Sequence, residues 1–232
     1  MKSVTPLVVA LLLSASPSFA QTADPAGHWE GAVSAPMGEV FVEVDLARNE
    51  AGALVGTFGN PAQKLKGLPL HSVTVDGRTV RFGFIADNNG DFNGTLNADG
   101  TFLSGMFTTR GLSLPFHLSR TGEARGLTVP RSPRIAKALE GVWHGTLDVN
   151  GTPLRLVLTM TNHDDGTATG GVVSVDQSDR QIPIAIAQSA SNVTLNIDAV
   201  GGVYTGTVNV AGTEMTGTYT VQGLELPLAF RR

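Results

Sequence analysis

The sequence predicts an all-β protein made of two tandem antiparallel meander β-barrels, and three observations support this prediction. Of its 232 residues only 16% are charged, while 28 are glycine and 41% are hydrophobic, which is typical of strands joined by tight turns. Apolar and polar residues alternate with a period of two, the spacing of a strand with one buried face. The second half of the chain also repeats the pattern of the first half.

Residues 1–20 differ from the rest and indicate a cleavable signal peptide. Lys2 gives a positive start, Leu7 to Leu13 form a short apolar run, and Ser18-Phe19-Ala20 fits a small-x-small cleavage site. The apolar run is too short for a stable membrane span, although a retained anchor is the alternative. Cleavage after Ala20 would give a periplasmic or secreted protein. The chain has no cysteine, so that protein would not depend on disulfides.

An internal repeat divides the remaining chain into unit one, residues 27–120, and unit two, residues 139–232. Trp29 corresponds to Trp143 at a spacing of 114 residues, and the spacing closes to 112 by the point where Arg120 corresponds to Arg232. A repeat this long indicates tandem domains rather than a solenoid. Between the units, residues 121–138 are interpreted as a linker with one helical turn near its end.

The alternation predicts about eight short strands in each unit. Inward-facing sets recur at matching places in the two units, which are Val40, Val42, Val44 and Leu46, then Leu154, Leu156, Leu158 and Met160, then Val80, Phe82 and Phe84, and then Val193, Leu195 and Ile197. Turn-forming pairs separate them, such as Asp76-Gly77, Asn89-Gly90, Asp99-Gly100 and Asn150-Gly151. Eight antiparallel strands can close into a barrel, which removes exposed edges. An open sandwich is the alternative.

Both units end on a similar strand, GLSLPFHLSR at 111–120 and GLELPLAFRR at 223–232. The period of two places Arg120 and Arg232 on the inward face of that strand. Trp29 and Trp143 lie on the inward face of the first strand, which neighbours the last strand in a closed barrel. Each guanidinium is therefore predicted to lie on an indole and to close that end of its barrel, because guanidinium groups stack on aromatic faces.

A G-x-W on the first strand with an arginine on the last resembles the signature of lipocalin-like, or calycin-type, barrels. The matching residues are Gly27, Trp29 and Arg120, and then Gly141, Trp143 and Arg232. The resemblance implies a barrel that could hold a ligand. Both units are much shorter than lipocalins and no C-terminal helix is predicted, which argues against a spacious cup. Five phenylalanines are expected to fill unit one, namely Phe82, Phe84, Phe92, Phe107 and Phe116.

A second resemblance is to the accessory β-domains that precede the catalytic domain of some secreted bacterial serine hydrolases. In unit two the pattern comprises residues 141–145, residues 174–177 and the closing strand, while unit one keeps only Gln63 of the middle motif. The resemblance implies an accessory role beside a hydrolase. Gln63, Asp176 and Gln177 are candidates for a polar ligand site. The alternative is that they tie down their loop through hydrogen bonds.

The sequence contains no strong catalytic or metal-binding motif. The sequence has no G-x-S-x-G and no S-x-x-K. None of the five histidines (His28, His71, His117, His144 and His163) recurs in the other unit, which favours scattered surface histidines over a metal site. The D-x-N-x-D at 87–91 lacks the glutamate of a calcium loop and is interpreted as a hairpin turn. Glu43 and Asp45 are interpreted as part of a solvated outer face.

These observations favour a non-catalytic, exported binding or accessory module. Its partner would be a secreted hydrolase, another periplasmic protein or a small apolar ligand, and no cofactor or metal is expected. The alternatives are a hydrolase with an unrecognised active site and a purely structural partner of a separately encoded hydrolase. The net charge of −4 and the lack of a basic stripe argue against nucleic acid.

Overall fold

The computed structural model describes residues 23–84, 90–125, 129–177 and 179–232, and it confirms the predicted all-β fold with two tandem antiparallel sheets. The predicted signal peptide, Asn89 of the predicted Asn89-Gly90 turn and most of the 87–91 motif lie outside the described residues. Within them, no helix is long and apolar enough to span a bilayer.

The sheet of unit one contains nine strands, which are β1 (Gly27–Ala35), β2 (Gly38–Arg48), β3 (Leu54–Asn60), β4 (Leu65–Pro69), β5 (Ser72–Asp76), β6 (Thr79–Phe84), β7 (Gly90–Leu96), β8 (Phe102–Thr109) and β9 (Leu112–Gly122). Their order is β4-β3-β2-β1-β9-β8-β7-β6-β5. Except for β4 and β5, consecutive strands pair, as in a meander, and the first strand pairs with the last.

The two ends of this sheet are joined by the chain rather than by a ladder of hydrogen bonds. Strands β4 and β5 follow each other in sequence but lie at opposite ends of the order. The Leu70 amide bonds to the Gly56 carbonyl beside β4, and the next amide, that of His71, bonds to the Gly83 carbonyl beside β5. Unit one is therefore a strongly curled sheet in which one strand is split where it passes from one neighbour to the other.

The sheet of unit two closes into a barrel. Its strands are β10 (Ser132–Pro133), β11 (Gly141–Val149), β12 (Thr152–Asn162), β13 (Thr167–Ser174), β14 (Ile182–Ser189), β15 (Asn192–Ile197), β16 (Gly202–Val208), β17 (Glu214–Val221) and β18 (Leu224–Arg231). Strands β11 to β18 form the ring, because β14 pairs with both β13 and β15. The counterpart of the continuous β14 in unit one is the split pair β4 and β5.

The strand register reproduces the sequence repeat. Trp29 pairs with Val44, and the corresponding Trp143 pairs with Leu158, so both partners keep the spacing of 114. The same register therefore places the tryptophans at equivalent points in the two units.

The second half of the predicted linker packs on unit two. Strand β10 pairs with β13, and the Ser132 hydroxyl accepts a hydrogen bond of 2.7 Å from the Ile186 amide. Ile135 is buried in the apolar core of unit two. The predicted helical turn is a short 3-10 turn, η2 (Lys137–Leu139).

Phenylalanine rings fill unit one, as the sequence predicts. Phe92 lies at their centre, with ring centroids 4.7 Å from Phe82, 4.5 Å from Phe107 and 5.0 Å from Phe116. Phe84 stacks on Phe58 at 4.2 Å. Close aromatic packing of this kind leaves little room for a ligand.

One histidine and one carboxylate are buried where the sequence predicted a solvated surface. His28 Nδ1 lies 2.8 Å from Asp45 Oδ1, and its Nε2 lies 3.0 Å from Glu30 Oε1. The Arg125 amide also donates to Asp45 Oδ1. The surface prediction is therefore wrong for His28 and Asp45, because the chain that follows β9 returns to this part of the sheet.

Candidate functional site

The two predicted arginine–tryptophan pairs lie at equivalent ends of the two units. The guanidinium carbon of Arg120 is 5.0 Å from the ring centroid of Trp29, and that of Arg232 is 4.3 Å from Trp143. Each indole N–H donates to a main-chain carbonyl at 2.9 Å, that of Pro25 or Leu139. Both indoles are fully buried.

The guanidinium groups are held by main-chain oxygens at the same ends. Arg232 donates to the carbonyls of Ala138, at 3.0 Å, and Glu140, at 2.5 Å. Arg120 donates to the carbonyl of Asp24. These three hydrogen bonds go to main-chain oxygens, which fits a structural position at the end of each sheet, while the buried Arg120 Nε has no partner.

The opposite end of the unit-two barrel opens into a cavity of about 700 Å³. Along the inward face of β18, side-chain exposure decreases from the open end of the barrel towards the end that holds Arg232. Leu224 is 56% exposed, Leu228 is 4% exposed and Phe230 is 2% exposed. The cavity is therefore open at the rim, where the turns between strands lie, and closed towards Trp143 and Arg232.

The cavity wall is apolar and carries no charged side chain among the described residues. Most of its surface comes from leucine, isoleucine and valine side chains, including Leu147, Leu154, Leu156, Leu158, Val172, Ile184, Leu195, Ile197, Leu226 and Leu228. Neutral polar residues, such as Asn150, Thr152 and Gln222, contribute to the rim. Such a wall suits an apolar ligand whose buried part is uncharged, because burying an unpaired charge is costly.

Two hydroxyls in the wall have no hydrogen-bond partner. They are Tyr204 Oη and Ser174 Oγ, and both are buried. Burial raises the pKa of Tyr204 to about 12, so its phenol is neutral at physiological pH. The ring of Tyr204 packs edge-on against Phe230 with centroids 5.4 Å apart.

Aliphatic side chains replace several interior phenylalanines in unit two, which helps to explain why it is hollow while unit one is filled. At six equivalent positions, unit one has phenylalanine and unit two has another residue that lines the cavity. In unit two, Val172 stands in place of Phe58, Leu195 of Phe82, Ile197 of Phe84, Tyr204 of Phe92, Tyr219 of Phe107 and Leu228 of Phe116. Four of the six are aliphatic, so unit two lacks most of the aromatic packing of unit one and keeps only smaller contacts such as that between Tyr204 and Phe230. The expectation of a barrel without a spacious cup is therefore wrong for unit two.

The seam between the first and last strands also differs between the units. In unit one, β1 pairs with β9 from His28 to Val33. In unit two, β11 pairs with β18 only at His144 and Gly145. A surface groove lies over this short seam, with His144, Arg155 and Arg231 among its walls. The barrel wall is therefore least continuous between β11 and β18 on the side of the rim.

The structure separates the three predicted polar site residues. Gln63 and Gln177 line the cavity at its rim. Asp176 instead accepts three hydrogen bonds from Arg155, from the main-chain amide at 2.7 Å and from the guanidinium at 2.9 and 2.5 Å. The side-chain hydrogen bond from Arg155 holds the pKa of Asp176 below its usual value. Asp176 thus fixes its loop to β12 and does not line the cavity.

Sequence reasoning missed the cavity itself. The signal was present in the repeat, because the phenylalanines expected to fill unit one can be compared with their equivalents in unit two. Three of these five phenylalanines correspond to leucine or isoleucine in unit two, and the other two correspond to tyrosine.

In the described part of the chain, no group of three or more histidine, aspartate or glutamate side chains could hold a metal ion.

The fold and the cavity together define a class of protein, an antiparallel β protein in which a strongly curled sheet is followed by a closed barrel with an apolar cavity. This sheet arrangement is compatible with a lipocalin-like fold. No protein-family model matches the chain, and no curated protein matches it.

Several solved structures are similar to the chain at low identity. One is from Bacteroides fragilis and is assigned to the outer membrane only by prediction (13% identity, TM-score 0.30, 91% of this chain and 97% of that one). Another is a protein of unknown function from the DUF3598 family of Nostoc punctiforme (14%, TM-score 0.26, 88% and 94%). A third is kievitone hydratase from Nectria haematococca (10%, TM-score 0.21, 93% and 92%). Similarity at these TM-scores supports no functional conclusion.

Proposed function

We propose that the protein is a non-catalytic binding protein whose second barrel takes up a small apolar ligand. The observation that carries this proposal is the cavity of about 700 Å³ in unit two, set against the phenylalanine-filled interior of unit one. Its volume lies in the usual range for small-molecule pockets. The resemblance to lipocalin-like barrels agrees with the proposal.

The chemistry of the wall indicates what the ligand looks like. Aliphatic side chains provide most of the surface, so each methylene that leaves water would contribute about 0.8 kcal/mol before the costs of binding. The absence of charged side chains from the described wall means that a buried ionic group would have no partner. We therefore expect an uncharged apolar body, with any strongly polar group near the rim.

A titration with the fluorescent apolar probe N-phenyl-1-naphthylamine tests the proposal. The full chain is expected to bind one molecule of the probe, and dodecan-1-ol is expected to displace it. A flat titration would refute the proposal. Binding of many probe molecules that dodecan-1-ol cannot displace would also refute it, because that behaviour indicates nonspecific surface binding.

The same protein should lack hydrolytic activity. Neither the sequence motifs nor the described cavity wall supplies a nucleophile with a base and an orienting acid. A panel of ester, peptide and β-lactam substrates is expected to be turned over at the background rate. Turnover above background that is lost when the cavity is blocked would favour the enzymatic alternative.

A partner protein is a second candidate, favoured by an exposed apolar hairpin in unit one. Met37, Val40 and Phe41 lie exposed near the β1–β2 turn, and none of them lines the cavity. Exposed apolar clusters often mark interaction sites. If this hairpin binds a secreted hydrolase, cross-linking to that enzyme should be lost in a Met37→Ser/Phe41→Ser variant that still binds the probe. Equal cross-linking by both proteins would exclude the hairpin.

A further inference from the structure

The cavity in unit two is not enclosed by unit two alone. Gln63, Leu65 and Leu68 of unit one also line it. We infer that unit one forms part of the ligand site, and that Leu65 contacts the bound ligand. This inference rests on the proposed binding function, but it concerns a different question, namely which residues make the site and whether the two units bind as one body.

Unit one reaches the cavity through an edge strand. Strand β4 has one neighbour in its sheet, β3, and no other strand in the described part of the chain pairs with its second edge. Unpaired edges are usually protected in some way. The 3-10 turn η3 (Asp198–Val200) of unit two packs against β4. Its Ala199 is only 5% exposed and belongs to the apolar core of unit one, so the two units share core residues.

Polar contacts fix the same interface. The Arg180 guanidinium of unit two donates to the His71 carbonyl of unit one at 2.8 Å. The side-chain amide of Gln222 donates to the Gln63 carbonyl at 3.4 Å, next to the cavity rim. These two contacts lie on either side of β4 in sequence. They hold that strand in place at the rim.

Close main-chain approach at η3 supports a fixed geometry. Gly201 follows η3 with a φ of +61°, in the left-handed region that glycine adopts readily. A Cβ placed on Gly201 would lie 3.3 Å from the Lys64 carbonyl of unit one. A larger residue would therefore be disfavoured by its backbone conformation and by its contact with unit one. Both constraints keep η3 close to β4.

A ligand in the cavity would consequently link the two units. Leu68 is buried in the core of unit one, and Leu65 is half-buried against that core while also lining the cavity. A bound ligand would bury the remaining apolar surface of Leu65. By thermodynamic linkage, ligand binding should then strengthen the contact between units, and weakening that contact should lower ligand affinity.

Leu65→Ala tests this assignment, with Lys66→Ala as the matched control. Lys66 is the exposed neighbour and does not line the cavity. Leu65→Ala is expected to weaken binding of N-phenyl-1-naphthylamine about three- to tenfold, because it removes methylene and methyl groups from the contact. Lys66→Ala should leave binding unchanged, and Leu65→Met should restore most of it. Thermal melts followed by circular dichroism verify that each variant is folded.

Amide hydrogen exchange separates a ligand contact from a merely structural effect. In the wild-type chain, the probe should slow exchange in β4 of unit one as well as in the barrel of unit two. Unchanged affinity in Leu65→Ala together with unchanged exchange in β4 would overturn this inference and leave the proposed function intact. Failure of the wild-type chain to bind the probe would instead refute the proposed function itself.

Discussion

Replacement of Trp29 by alanine tests the barrel-end packing that connects the sequence pattern to the fold. Trp29 has no exposed surface, its indole N–H bonds to Pro25, and Arg120 lies over its ring. Truncating a buried tryptophan removes packing and leaves a cavity, which together cost about 3–5 kcal/mol. The Pro25 carbonyl also loses its partner. We therefore expect the free energy of unfolding of unit one to fall by about 3–5 kcal/mol.

Denaturant unfolding followed by circular dichroism measures this change, since the substitution removes a fluorophore. Trp143→Ala provides the matched experiment in unit two, because Trp143 has the same burial and the equivalent hydrogen bond. Trp29→Phe keeps a buried ring and should lose about 1–2 kcal/mol. A loss below about 1 kcal/mol for Trp29→Ala would refute the packing argument, because such a loss is typical of an exposed site.

Three further predictions concern single groups. Arg120→Ala should destabilise unit one by about 1–2 kcal/mol through lost packing on Trp29. An unchanged melting temperature combined with altered ligand binding would instead make Arg120 a ligand residue. Asp176→Asn should leave probe affinity unchanged, because Asp176 bonds to Arg155 outside the cavity. A loss of affinity would contradict that placement. Burial raises the pKa of Tyr204 from 10.0 to about 12, so the unfolded chain releases this proton first and stability should fall as the pH rises from about 10 to 12. Tyr204→Phe should show a smaller fall in denaturant melts, and equal falls in both proteins would refute the assignment.

Much of the fold could be predicted from the sequence because its signals are local. Strand alternation depends on neighbouring residues, and the repeat then fixes which strands are equivalent. The inward position of Arg120 follows from parity along one strand, and the structure places this residue over Trp29. Turn-forming pairs such as Asn150-Gly151 also lie where β11 and β12 are joined.

The remaining features depend on contacts between distant parts of the chain. His28 is buried and pairs with Asp45, which also accepts a hydrogen bond from the Arg125 amide, and neither contact has a local sequence signal. Insertion of Ala199 into the core of unit one likewise depends on how the two units pack. The cavity can be predicted only in part, because it depends on side-chain volumes summed over many strands. The phenylalanine differences between units indicate it only after the fold is known.

A pair of neighbouring tryptophan substitutions can determine whether the unit-two cavity is the ligand site. Val172 lines the cavity, whereas the adjacent Val173 does not. Val172→Trp should fill part of the cavity and weaken binding of N-phenyl-1-naphthylamine by about tenfold or more, because an inserted indole takes the space that the probe needs. Val173→Trp should bind the probe as the wild-type chain does. Equal affinities for the two variants would contradict the account, because the probe would then bind outside the barrel.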